Sequence, residues 1–239
     1  MYPILKKEVN SFFSSPIAYL VIGVFLLVNG LFLWVFKDTF NILNAGFADL
    51  SSFFYLAPWL FLFLIPAITM KSFADEFNSG TIEILKTKPL TDWQIVLGKF
   101  TAVLLLVCIA LIPTLTYVYT VYTLGNPVGN LDIGSTIGSY LGLLFLASTY
   151  TAIGLFTSTL SKNQIVAFIL GIFITFILFY GFDALSESFG NSGYTLQQFG
   201  MNEHFKSISR GVVDTRDVIY FITVTFFFLF ITKQQLKNE

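Results

Sequence analysis

The side chains able to carry chemistry gather between two long apolar runs, in the stretch Lys71 to Lys99, which reads KSFADEFNSGTIEILKTKPLTDWQIVLGK. Lys71, Lys86, Lys88 and Lys99 stand there against Asp75, Glu76, Glu83 and Asp92, so the charges balance and attraction to phosphates or anionic headgroups is not the obvious purpose. The local signals are helical but interrupted. Gly80 permits a sharp turn, Thr81 is placed to cap a short helix running through Leu85, and Pro89 stops that helix. A second helix starts at Thr91-Asp92-Trp93-Gln94, which has the form of a capping box with Leu90 and Ile95 as its hydrophobic staple. A short amphipathic helix held between two apolar runs suits docking onto another protein. It suits equally a plain connector that caps its two neighbours.

Elsewhere reactive groups are sparse. No G-x-x-x-x-G-K-[ST] occurs, so the chain has no phosphate-cradling loop of its own and cannot itself be an ATPase of that type; energy must come from elsewhere. Cys108 is the single cysteine; inside an apolar run it reads as a small buried hydrophobe. His204 is the single histidine and reads as a solvated or interfacial residue of a polar segment. No catalytic residue and no metal site is assigned. With 13 Lys and Arg against 14 Asp and Glu, the net charge of -1 offers no basic face for a nucleic acid.

The elements that hold these groups follow from composition. Of the 239 residues 11% are charged and 55% apolar, where soluble domains carry about 25% charged residues. An all-α polytopic membrane protein is expected, as a single transmembrane domain over 1–239. Residues 1–16 predict an interfacial helix, with Lys6 and Lys7 in water and Val9, Phe12 and Phe13 on the apolar side. Six spans are expected at about 17–36, 53–70, 100–122, 135–160, 165–182 and 217–232, with the polar loop 71–99 between the second and third and an outer polar segment at 183–216. The first run has 20 uncharged residues, too many for a signal-peptide core, and is expected to remain as a true span. The sixth has only 15, Val218 to Thr232, and needs Lys233 to snorkel or the bilayer to thin.

Within the spans, Pro58, Pro66 and Pro113 predict kinks. Gly134, Gly138, Gly142, Ala147, Ser148, Ala152 and Gly154 recur in span 4 at spacings near four, the pattern of close helix packing. Hydroxyls at Thr114, Thr116 and Thr120, and at Ser148 and Thr149, make faces suited to a solute path, while the tyrosines beside the first group suit interfacial anchors as well. None of the six apolar runs, the sixth taken as Val218 to Thr232 with Asp217 at its end, holds Asp, Glu, Lys, Arg or His, which argues against an ion-coupled transporter and an intramembrane protease. With the amino terminus inside, inner segments hold 9 of the 13 Lys and Arg, predicting that the 71–99 loop and both termini are cytoplasmic.

The run Glu76-Phe77-Asn78-Ser79-Gly80-Thr81-Ile82-Glu83-Ile84-Leu85, followed by Pro89 and Gly98-Lys99, resembles the cytoplasmic loop of exporter-type ABC permeases of the type-2 family. Their pattern runs E, three residues, G-T, one residue, E, one residue, L, then proline. KKEVNSFFSSPIAYLV and FKSISRGVVDTRDVIYF are similar to the subgroup holding the permeases of the gliding-motility transporter and of the nitrous-oxide-reductase maturation system. Compact length without a large outer domain favours the gliding-motility type. The resemblance covers nearly the whole chain. It implies a transport subunit of the bacterial inner membrane, not an enzyme, with a coupling helix between spans 2 and 3, a second permease half as homodimer or heterodimer, and a separate nucleotide-binding subunit that holds ATP and Mg. It also implies that Glu76, Gly80, Thr81, Glu83, Leu85 and Pro89 form the docking surface. A structural membrane anchor for a cell-envelope machine is the competing expectation.

Overall fold

The computed structural model of the chain describes residues 1–87, 89–188 and 193–238; Lys88 of the polar loop and residues 189–192 of the outer segment lie outside the described residues. The described residues form helices and turns with no strand. Ser15 caps α2 by accepting from the Ile17 amide, and Pro16 fills its first turn, so α1 (Tyr2–Ser14) breaks cleanly from α2 (Pro16–Gly30), which continues as a π-helix over Leu31–Val35. Then come α3 (Ser51–Thr69), α4 (Lys71–Asn78) and α5 (Thr81–Lys86), followed by α6 (Asp92–Leu111), a 3-10 turn at Ile112–Thr114 and α7 (Leu115–Leu124). Asp132 caps α8 (Ile133–Thr159) through the Ser135 amide, and Asn163 caps α9 (Gln164–Phe176), which passes into a π-helix at Ile177–Gly181. The short helices α10 (Phe182–Ser188), α11 (Gly193–Gln197) and α12 (Met201–Ser209) precede α13 (Thr215–Asn238).

Six of these stretches are long and apolar enough to cross a membrane: Pro16–Val35, Ser51–Asn78, Asp92–Leu124, Ile133–Thr159, Gln164–Glu187 and Thr215–Lys237. The chain is an all-α, multi-pass membrane protein. α8 is the axis, packing on α3, α6, α9, α12 and α13, and its small residues are what let the neighbours in. A Cβ on Gly154 would lie 2.1 Å from the Thr69 hydroxyl of α3, and one on Gly138 would lie 2.5 Å from the Ile208 carbonyl of α12.

Pro58 and Pro66 lie inside α3 without ending it, while Pro113 divides its span at the 3-10 turn. Three expectations are corrected. The sixth span is not short, because its helix runs through both charged ends for 24 residues. Asp217 is buried against His204 at 2.6 Å, and the Lys233 ammonium lies 6.0 Å above the Trp93 ring, so neither end has to unwind. The spans are also not free of ionisable groups. Helices continue past the apolar runs and carry Lys99, Asp183 and Asp217 into buried positions, 2%, 8% and 5% exposed. Finally, of the two readings of His204, solvated or interfacial, the first is overturned: its side chain is 17% exposed and stacks on Tyr220 at 3.9 Å.

Candidate functional site

Gly80 adopts φ +69, a left-handed conformation open to glycine, and this reverses the chain between α4 and α5. It also makes Gly80, not Thr81, the N-cap residue of α5; Thr81 is the first helical residue, its hydroxyl 2.9 Å from that of Ser79. α5 turns Ile82 and Leu85 into the protein and leaves Thr81 and Glu83 exposed, with Pro89 exposed beyond its end. Glu83 sits in the first turn, where the helix dipole favours a carboxylate. α6 then starts on the capping box: the Gln94 amide donates to the Thr91 hydroxyl at 3.3 Å, and the Thr91 amide donates to Gln94 Oε1 at 3.2 Å.

Beneath this surface lies a buried ion cluster. The Lys99 ammonium, from α6, donates to Glu8 Oε1 of α1 at 3.0 Å and to the Ser72 carbonyl of α4 at 2.6 Å, and lies 3.0 Å from Glu76 Oε1. Its three protons thus face three acceptors, with the Phe73 ring 5.0 Å away. Glu76 also accepts from Lys7 at 2.9 Å. Burial opposes the charge on Lys7, but the hydrogen bond and charge of Glu76, with Glu8 behind it, outweigh burial and hold its pKa above the ordinary lysine value of 10.5. Two lysines and two glutamates therefore join α1, α4 and α6 into one unit. Gln164, at the start of α9, adds a fourth helix by hydrogen bonding to Asp75 of α4.

The residues expected at a docking surface divide accordingly. Gly80, Thr81, Glu83 and Pro89 lie at the surface, whereas Leu85 is its buried footing and Glu76 turns inward to the two lysines. The hydroxyls expected along a solute path do not share one wall. Thr114 is buried, donates to the Leu111 carbonyl and meets the Tyr140 hydroxyl at 3.0 Å. Thr116 is exposed and Thr120 half-buried, donating to the Pro113 and Thr116 carbonyls respectively, and Ser148 and Thr149 face Thr225 of α13.

Sequence reasoning missed Glu8 and Lys99 as a pair. Glu8 falls on the face of α1 that packs against α6, where Ile4 fits against Gly98, and a carboxylate on an otherwise apolar face was the available signal. A family model described as ABC-2 family transporter protein matches residues 2–210 of the chain. No curated protein matches it.

Proposed function

The chain belongs to the ABC-2 family of transporter proteins, and from that premise we propose that it is the permease subunit of an ATP-driven transporter, with α5 and the turn at Gly80 as the surface on which a separate ATPase docks. The observation that carries this reading is the amphipathic placement of α5, with Glu83 exposed above buried Ile82 and Leu85. α3 and α4 are joined through Met70, and Lys99 ties α4 to α6 and α1, so a push on α5 is passed to spans 2 and 3 together. ATP and Mg belong in this reading to the partner, and two permease halves complete the transporter in the bacterial inner membrane. The finer assignment, an exporter linked to gliding motility, is supported by the likeness of the amino-terminal and late segments to that subgroup. A static anchor for a cell-envelope machine would use the same docking face.

The variant Glu83→Gln tests the docking surface. A surface carboxylate on a short helix contributes only ~0.2–0.5 kcal/mol through its own helix neighbours, whereas one paired with a cation in a desolvated cleft costs ~2–5 kcal/mol of binding when removed. Glu83→Gln is expected to insert and fold normally while recovery of the P-loop ATPase and transport both fall. Full ATPase recovery with full activity would return Glu83 to an ordinary helix surface. Comparing ATP hydrolysis by the ATPase alone and with this subunit in lipid separates a coupled permease, which changes the rate, from an anchor, which does not.

A further inference from the structure

At the end of α3 far from α4, a cavity of about 530 Å³ lies between α3, the π-helix at Ile177–Gly181, α10 and α12. One wall is aromatic: Phe54, Tyr55 and Trp59 of α3 meet Tyr180, with Trp59 and Tyr180 ring centroids 5.6 Å apart. The other walls are charged in an ordered way. α10 presents Asp183 and Glu187, one turn apart, and α12 presents Lys206, with Arg210 one turn on at its C-cap.

Only the inner members of these pairs meet, Lys206 standing 3.6 Å from Asp183 Oδ2, which also accepts from Asn202. Glu187 and Arg210 are exposed at the rim and take part in no ion pair among the described residues. Asp183 Oδ1 is buried without a hydrogen-bond partner, although the residue is only 8% exposed. A buried carboxylate oxygen left without a donor is unfavourable, and it leaves the Asp183 side chain short of the positive or donor groups that would balance its charge. The π-helix beside it is a local widening of the helix that is common where ligands are held.

A simple cation would leave Lys206 and Arg210 unused, and a simple anion would be repelled by Asp183 and Glu187. A ligand carrying both charges satisfies both helices. We propose that this cavity binds a zwitterion of the phosphoethanolamine class, its ammonium toward Asp183 and Glu187, its phosphate toward Lys206 and Arg210, and its apolar remainder against the aromatic wall. An ammonium is drawn by the carboxylates of Asp183 and Glu187, and the aromatic faces add to its binding. Arginine and lysine together suit phosphate, the guanidinium as a fork and the ammonium as a point charge. The chemistry is shared by a lipid headgroup of the bilayer and by the free compound. The site lies away from α5 and does not depend on how the ATPase docks.

Trp59 lies in the wall and serves as the reporter once Trp34 and Trp93 are replaced by Phe. The full chain is placed in phosphatidylglycerol nanodiscs, and two probes are titrated: phosphatidylethanolamine as a rising fraction of the disc lipid, and free O-phosphoethanolamine. A saturable change in Trp59 emission is expected from at least one probe. Response to the lipid alone assigns the site to the bilayer headgroup, and response to the free compound assigns it to a soluble ligand. Glu187→Gln and Arg210→Gln, both at the exposed rim, are each expected to weaken the response about tenfold. Ligand-induced shifts in melting temperature, measured with all native tryptophans, give the same ordering and replace the fluorescence test if the two-Phe background does not fold. No saturable response to either probe, equal affinity in both rim variants, or the same response to inorganic phosphate would overturn the proposal.

Discussion

Lys99 is held by three acceptors from two other helices, and its removal leaves Glu8 and Glu76 buried beside each other without their main cation. Lys99→Met is therefore expected to destabilise the protein by ~3–5 kcal/mol, the usual consequence of breaking one side of a buried ion cluster. Removing all three charges together, as Glu8→Gln, Glu76→Gln and Lys99→Met, should recover much of that loss in thermal melts of the detergent-solubilised protein. A single variant that melts like wild type would show that the cluster is not a structural tie. Lys7 adds a weaker, pH-dependent contribution. Its folded pKa lies above 10.5, so the stabilisation is complete below the ordinary lysine value and is lost as the pH rises through the folded one. Because 57% of its side chain is in water, the gap in melting temperature between wild type and Lys7→Met should be small at neutral pH and close only in alkaline solution. The sequence placed Lys99 at the end of a loop and could not pair it, because Glu8 is 91 positions away and no local period connects them. Glu83, by contrast, was legible from its helix signals alone, since exposure in a first turn is a local property.

At the scale of helices, local rules carried where one element decides its own boundary. The Thr91 capping box and the Asn163 cap are side chains bonding amides two or three residues on, and α6 and α9 start where those residues stand. Local rules failed where a neighbour decides. The ends of α13 are kept helical by His204 and Trp93, which a count of uncharged residues does not contain. His204 shows how specific such a neighbour is. Its ring nitrogens face a carboxylate of Asp217 and the Gln198 carbonyl, both acceptors, so only the doubly protonated ring donates to both. The small-residue stripe of α8 was legible as a packing face, but which helix it would receive was not. Gly154→Ala tests that contact. With the Thr69 hydroxyl 2.1 Å from the added Cβ, α3 must move away from α8, and a loss of ~1–3 kcal/mol is expected in thermal melts. Gly23→Ala, which meets no atom within 4 Å, is the matched control and should be neutral or slightly stabilising. Equal melting of the two variants would place Gly154 outside any close contact.

For the whole molecule, the charged groups collect at the two ends of the helix bundle. At one end Lys99, Glu8 and Glu76 join α1, α4 and α6; at the other Asp183, Lys206, His204 and Asp217 tie α12 to α10 and α13. The surplus of Lys and Arg falls on the first end, with 9 of 13 in the segments on that side, and positive charge is retained on the cytoplasmic face during insertion. The expectation is a cytoplasmic α5 with both termini beside it. Three single cysteines in a Cys108→Ala background test this with a membrane-impermeant maleimide on sealed cells. Ser79 marks the α4–α5 turn, Val128 the loop after α7, and Val212 the segment before α13; the last two are 70% and 72% exposed. Val128 is used instead of its neighbour Gly129 because φ +87 there strains any side chain. Val128→Cys and Val212→Cys should label from outside, and Ser79→Cys only after the membrane is opened. Labelling of Ser79→Cys in intact cells would put α5 on the outer face, out of reach of a cytoplasmic ATPase, and would remove the docking reading along with the orientation.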